Sequence, residues 1–319
     1  MASSELPPVA GSGDLQPSLQ PPPDNIFRGP NGIRAGWRVL IFAAICALIA
    51  MVFAAGLYGF TRAKGQVGIS QLTPAGIGLS EAAIFLVTAI SALAMSRIER
   101  RSFGLYGLPI RSAFGGDFWI GSLAGFLAIS LCLVLIYSFH GFHLTGLSIH
   151  GSMIVSSTAA WALAFVMVGL AEEFAFRGYM QFTITTGMGF WPAAVLMSLL
   201  FGLAHAGNPG ESITGLASVV IFGLTFCLIL RRTGNLWWAV GFHAGWDWGQ
   251  TFFYGVPDSG VVPYHNLFNS SFHGPQWLTG GTVGPEASIF TPIILVLTAI
   301  IFTRFHRENR YPVGSSVSR

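Results

Sequence analysis

Six polar side chains interrupt apolar stretches of this chain: Glu172, Glu173 and Arg177 in one stretch, His205 in the next, and His243 with Asp247 in a third. A carboxylate left free of ion pairs can take a proton from water, and an imidazole can position that water or stabilise developing charge. A second carboxylate can hold an arginine. Together these types suit hydrolysis by an activated water. Charged residues make up only 9% of the sequence and its mean hydropathy is +0.63. An ionised group near the centre of a bilayer costs about 2.5–3.5 kcal/mol on insertion scales, so such residues mark cavities and function.

Spacing divides the roles. On a helix Glu173 and Arg177 share a face and can pair, while Glu172 is turned about 100° away and can face a cavity. His243 and Asp247 also share a face at the same separation. Each feature has a plainer account when taken alone. The two carboxylates with Arg177 would make a charge cluster at a span end, His205 a satisfied core histidine, and His243 with Asp247 a helix-stabilising hydrogen bond. No structural need predicts all three on successive apolar segments of one chain.

The elements that must position them are membrane helices. A span needs about 20 predominantly apolar residues, and such stretches occur at about 37–60, 79–97, 117–139, 152–176, 188–206, 212–230, 235–254 and 287–304. The expected class is therefore all-α, a polytopic membrane protein of about eight transmembrane helices with an intramembrane active-site chamber. Residues 1–36 contain seven prolines and no long apolar run, which reads as a disordered cytoplasmic tail rather than a cleavable signal peptide. The membrane domain is expected over 37–305, with a long external connection at 255–286 and a cytoplasmic tail at 306–319.

Arginines concentrate before the first span, between the second and third, after the sixth and after the last, whereas only Arg62 and Lys64 fall in connections of opposite parity. This asymmetry places both termini in the cytoplasm. The net charge of +3 is spread without a patch that could track nucleic acid. Cys46, Cys132 and Cys227 lie singly in apolar runs and read as buried thiols. His140, His143 and His150 form only a loose group, better read as exposed loop histidines than as a metal site.

Glu172-Glu173-Phe174-Ala175-Phe176-Arg177, Phe201-Gly202-Leu203-Ala204-His205 and His243-Ala244-Gly245-Trp246-Asp247 together resemble the three motifs of the CPBP membrane endopeptidases. That family comprises the CAAX prenyl protease type 2 and bacteriocin-processing (Abi) proteins. Arg232-Thr233-Gly234-Asn235-Leu236-Trp237 and the Trp277–Glu286 stretch resemble bacterial members, and the likeness covers roughly 150–290, the expected catalytic core. It implies hydrolysis of peptide bonds in membrane-associated proteins or peptides, in a water-filled chamber open to the cytoplasm of a bacterial inner membrane. Carried over by position, Glu172 is the general base, His205 positions the water, His243 and Asp247 stabilise the oxyanion, and Glu173 with Arg177 holds the site together. No cofactor is the favoured expectation. The alternative is zinc, with Glu172, His205, His243 and Asp247 as ligands of acceptable type.

Two features depart from the pattern. Many members carry Asn where this chain has Asp247, and an ionised carboxylate repels an oxyanion. Asp247 must then be protonated, orient His243 or bind metal. Glu172 also falls near the end of its expected span while His205 lies about 20 Å into the next, which requires either that 174–190 remain partly in the membrane or that the span boundaries shift. A different class remains open as well: an ion- or proton-coupled transporter, or a scaffold that has lost catalysis.

Overall fold

The structure, a computed structural model, describes residues 25–29, 32–64 and 73–311, without the side chains of 57–64. Of the expected 1–36 tail, residues 1–24 lie outside the described residues; further along, Arg28–Gly29 (β1) pairs with Gly32–Ile33 (β2). Residues 312–319 of the expected C-terminal tail also lie outside them. The helices are α1 Ala35–Lys64, α2 Pro74–Ile98, α3 Gly116–Ser138, α4 Ser152–Arg177, α5 Tyr179–Met188, α6 Phe190–His205, α7 Ile213–Thr233, α8 Trp237–Asp247, α9 Gln276–Thr279 and α10 Phe290–Phe305.

Every expected span has its helix, so the polytopic helical class holds, but the lengths differ. Among the described residues five segments are long and apolar enough to cross a membrane: Ala35–Gly56, Pro74–Ile98, Gly116–Ser138, Ser152–Met188 and Ile213–Thr233. Helices α6 and α10 have 16 residues each, about 24 Å of rise, short of a usual crossing. The stretch 235–254 is divided, because α8 passes into π-helical turns at Trp248–Phe253. Eight full-length crossings are therefore not present among the described residues.

Local chemistry sets several boundaries. Thr73 caps α2 by accepting the Gly76 amide at 3.1 Å, and Pro74 occupies the first helical position, where no amide is needed. Ser212 caps α7 in the same way through the Gly215 amide at 3.0 Å. Helix α7 ends at Gly234, in the left-handed conformation that glycine tolerates.

Packing of α8 is what aims the site. Gly121 and Gly125 on α3 face Gly241 and Gly245 on α8, and a Cβ at any of the four would collide with the partner helix's backbone. Paired small residues four apart let two membrane helices touch along their backbones. On α4, Gly169 gives Val240 the same room. Helix α8 is thus pinned between α3 and α4. Its other surfaces carry aromatic packing, with Trp238 stacked on Phe242 and Phe222 against Phe242 and Trp246.

At the arginine-rich end, buried Arg38 of α1 donates from Nε to Glu99 Oε1 at 2.9 Å, and the Tyr179 hydroxyl donates to the same oxygen at 2.5 Å. This ties α1, the end of α2 and the start of α5 together. At the other end, Phe142–Leu147 (β3) pairs antiparallel with Phe268–Phe272 (β4), an addition to an otherwise helical fold. The 255–286 connection is ordered: α9 lies within it, and Ser288 just beyond it donates to the Leu278 carbonyl at 2.6 Å.

Candidate active site

The six residues expected from the motifs are brought together. Glu173 and Arg177 are fully buried one turn apart on α4, with Arg177 Nη1 3.2 Å from Glu173 Oε1. The same oxygen lies 3.0 Å from His243 Nδ1. Glu173 therefore serves two partners and joins α4 to α8. The Arg177 guanidinium also lies 4.1 Å over the Phe201 ring of α6, a cation–π contact. Gly223 leaves the space Arg177 needs.

Glu172 points elsewhere, as its rotation about the helix requires. Its Oε2 lies 3.9 Å from His205 Nε2 and 3.7 Å from His243 Nε2, and has no hydrogen-bond partner. His205 bonds the Phe201 carbonyl through Nδ1 at 2.9 Å, which makes Nδ1 the donor and turns Nε2 toward Glu172. Asp247 Oδ2 lies 3.6 Å from His243 Nε2. Both ring nitrogens of His243 thus face carboxylates, the arrangement a doubly protonated ring satisfies.

The depth problem is resolved by α5. After Arg177 the chain bends at Gly178 and continues as helix to Met188, so 174–190 belongs to one apolar stretch, Ser152–Met188. It reverses at Gly189, where φ is +85°, a value that suits glycine. The chain from Glu172 to this turn is nearly as long as that from the turn to His205, and the two side chains arrive opposite one another.

A cavity of about 450 Å³ opens on Glu172, His205, His243 and Asp247. Its walls include residues the motif reading misses: Glu81 of α2, and Asp258 and Glu286 of the 255–286 connection. An acid alone in an apolar segment is the signal that would have found Glu81; loop acids carry no such mark. The thiols Cys132 and Cys227 are buried, Cys46 is half-buried, and all three are free. His143 of β3 packs against His273 of β4. Helices α2 and α7 line the cavity with residues of their N-terminal halves, Ile77, Ser80 and Glu81 on α2 and Val219 and Phe222 on α7, while their far ends carry Arg97 and Arg231-Arg232.

Burial, the largest effect, pushes the Asp258 carboxyl up to about 6, against a partial offset from the Thr251 hydroxyl, which donates to it at 2.9 Å. Burial, then the charge of Asp258, holds Glu286 well above the usual carboxylate range, although the Ser259 amide donates to it. From the ordinary value of 3.8 to about 6, folded Asp258 binds more proton than the unfolded chain. Its contribution to stability is therefore lost as pH rises through that window. Thermal unfolding in detergent should show Asp258→Asn gaining on the parent between pH 4 and 6.5. A constant difference would place Asp258 outside the buried wall.

No curated protein matches the chain. Residues 154–249, which hold all six motif residues and the helices that carry them, match the family model described as Type II CAAX prenyl endopeptidase Rce1-like. Over this segment the chain is similar to the type II CAAX prenyl endopeptidases, the family that its three motifs resemble.

Proposed function

We propose that this integral membrane protein hydrolyses peptide bonds of membrane-associated proteins or peptides with a water activated by Glu172. One observation carries the reading: Glu172 presents an unpartnered oxygen to both imidazoles in the cavity, while Glu173 is committed to Arg177 and His243. In the proposed reaction a water sits between Glu172 and His205. Glu172 takes its proton as hydroxide attacks the peptide carbonyl carbon. The developing oxyanion is stabilised by the Nε2–H of His243, whose ring Glu173 and Asp247 orient. Collapse of the tetrahedral intermediate breaks the C–N bond, and Glu172 returns the proton to the leaving amine.

Zinc would have to draw on Glu172, His205, His243 and Asp247. These are acceptable donor types, yet among the described residues no group of three or more His, Cys, Asp or Glu is arranged to hold a metal ion. The proposed steps use none. Asp247→Asn tests this. In a metal-free site the amide orients His243 without repelling an oxyanion, so cleavage should be kept or raised, most visibly at high pH. A zinc ligand replaced by a neutral amide binds metal more weakly, and activity should fall. Reversible loss of cleavage on chelation, with stoichiometric bound metal, would overturn the metal-free reading.

The arginine asymmetry supports both termini in the cytoplasm, and the likeness of Arg232–Trp237 to bacterial members supports a bacterial inner membrane. In that orientation the chamber lies toward the outer face, beneath the 255–286 connection. The same reading divides the chain into a membrane domain over 37–305 with its catalytic core at 150–290, to whose chamber wall α2 adds Ile77, Ser80 and Glu81.

A further inference from the structure

The chamber is lined by five carboxyl groups from four parts of the fold: Glu81, Glu172, Asp247, Asp258 and Glu286. Among the described residues no Lys or Arg lines it. The nearby Arg177 is fully buried and held by Glu173. Among the described residues histidines are the only basic groups facing in, and they are shared among Glu172, Glu173 and Asp247. Asp247 is only 6% exposed and is paired with His243 at 3.6 Å. Glu81 Oε2, by contrast, is shut off from solvent with no hydrogen-bond partner. Buried carboxyl groups normally find a partner, because leaving them without one is costly. Here the partner has to come from whatever enters.

Resting on the peptidase reading above, we propose that the chamber accepts substrates carrying a cationic side chain, Lys or Arg, next to the bond that is cut, with Glu81 as the specificity-determining residue. A volume of about 450 Å³ holds a peptide bond and one long flanking side chain. Glu172 is engaged in the chemistry, Asp247 with His243, Asp258 with the Thr251 hydroxyl and Glu286 with the Ser259 amide, which leaves Glu81 as the acid free to receive the cation. It stands on α2, outside the matched segment 154–249, so it is a property of this chain rather than of the motif set.

The test uses the full-length protein in lipid nanodiscs and a proteome-derived peptide mixture, with new termini identified by mass spectrometry. Cuts made by the parent and absent with Glu172→Gln are scored. Lys and Arg should be enriched beside those cuts relative to the mixture. One cut peptide is then synthesised with Lys or with norleucine at the flanking position. Glu81→Gln should lower the Lys-over-norleucine ratio of kcat/KM about tenfold, the scale of a charge-assisted contact. Glu81→Lys should turn the preference toward Glu, and Asp258→Asn, a second variant should Glu81 changes impair folding, should also reduce the ratio. Cuts without cationic enrichment, or a ratio unmoved by Glu81→Gln, would overturn the proposal and leave the peptidase reading standing. Absence of any Glu172-dependent cut would instead remove the peptidase reading itself. Chelator-sensitive cleavage with stoichiometric metal would assign the carboxylates to an ion and also overturn it.

Discussion

Glu172→Gln is expected to abolish peptide hydrolysis while leaving a protein that folds as the parent does. The amide is nearly isosteric but accepts no proton, and general-base catalysis is worth roughly 10²–10⁴ in rate. The structure explains why folding should survive. Glu172 Oε2 makes no hydrogen bond, and its nearest ring nitrogens lie at 3.7 and 3.9 Å, beyond hydrogen-bond range. Little native interaction is lost with the charge. Detergent-purified parent and variant should elute alike by size exclusion and melt within a few degrees of one another, and only the parent should cut the peptide mixture. Near-parental cleavage by the variant would exclude Glu172 as the base.

Glu173→Gln should do the opposite and act on stability first. Glu173 and Arg177 have no exposed side-chain surface, and Glu173 Oε1 holds both Arg177 and His243. Removing the carboxylate leaves a guanidinium buried without a counter-charge, a loss of about 3–5 kcal/mol for buried pairs. The Phe201 ring beneath the guanidinium, at 4.1 Å, offsets only part of this. Arg177→Met in the same chain should restore much of the melting temperature, since an apolar side chain of similar length suits the site. Activity should stay low in the double variant, because His243 has still lost the carboxylate that orients its Nδ1. Four proteins with equal melting temperatures would show that the pair contributes nothing.

Much of the site was legible in sequence because its pairings are local. Glu173 with Arg177 and His243 with Asp247 lie one helical turn apart, and helix geometry alone puts each pair on one face. The division between Glu172 and Glu173 follows from the same rotation. Apolar runs mark the helices because a bilayer demands about 20 apolar residues per crossing. They mark length poorly, though: 188–206 and 287–304 look like full spans but form 16-residue helices. The continuation of α4 into α5 stood only as one of two options, because Thr183, Thr185 and Thr186 lower the apolarity of that stretch while Arg38 and Glu99 hold it in place from distant elements. Which helices meet depends on contacts remote in sequence. Paired glycines bring α3 and α8 backbone to backbone and so turn His243 toward Glu172 and Glu173. Glu81 reaches the cavity only because α2 packs along α4, and Asp258 and Glu286 only because the 255–286 connection folds back over the helices. Residue type and helical period describe a side chain's own face; which side chains share a cavity is set by long-range packing, and that carries no local period to read.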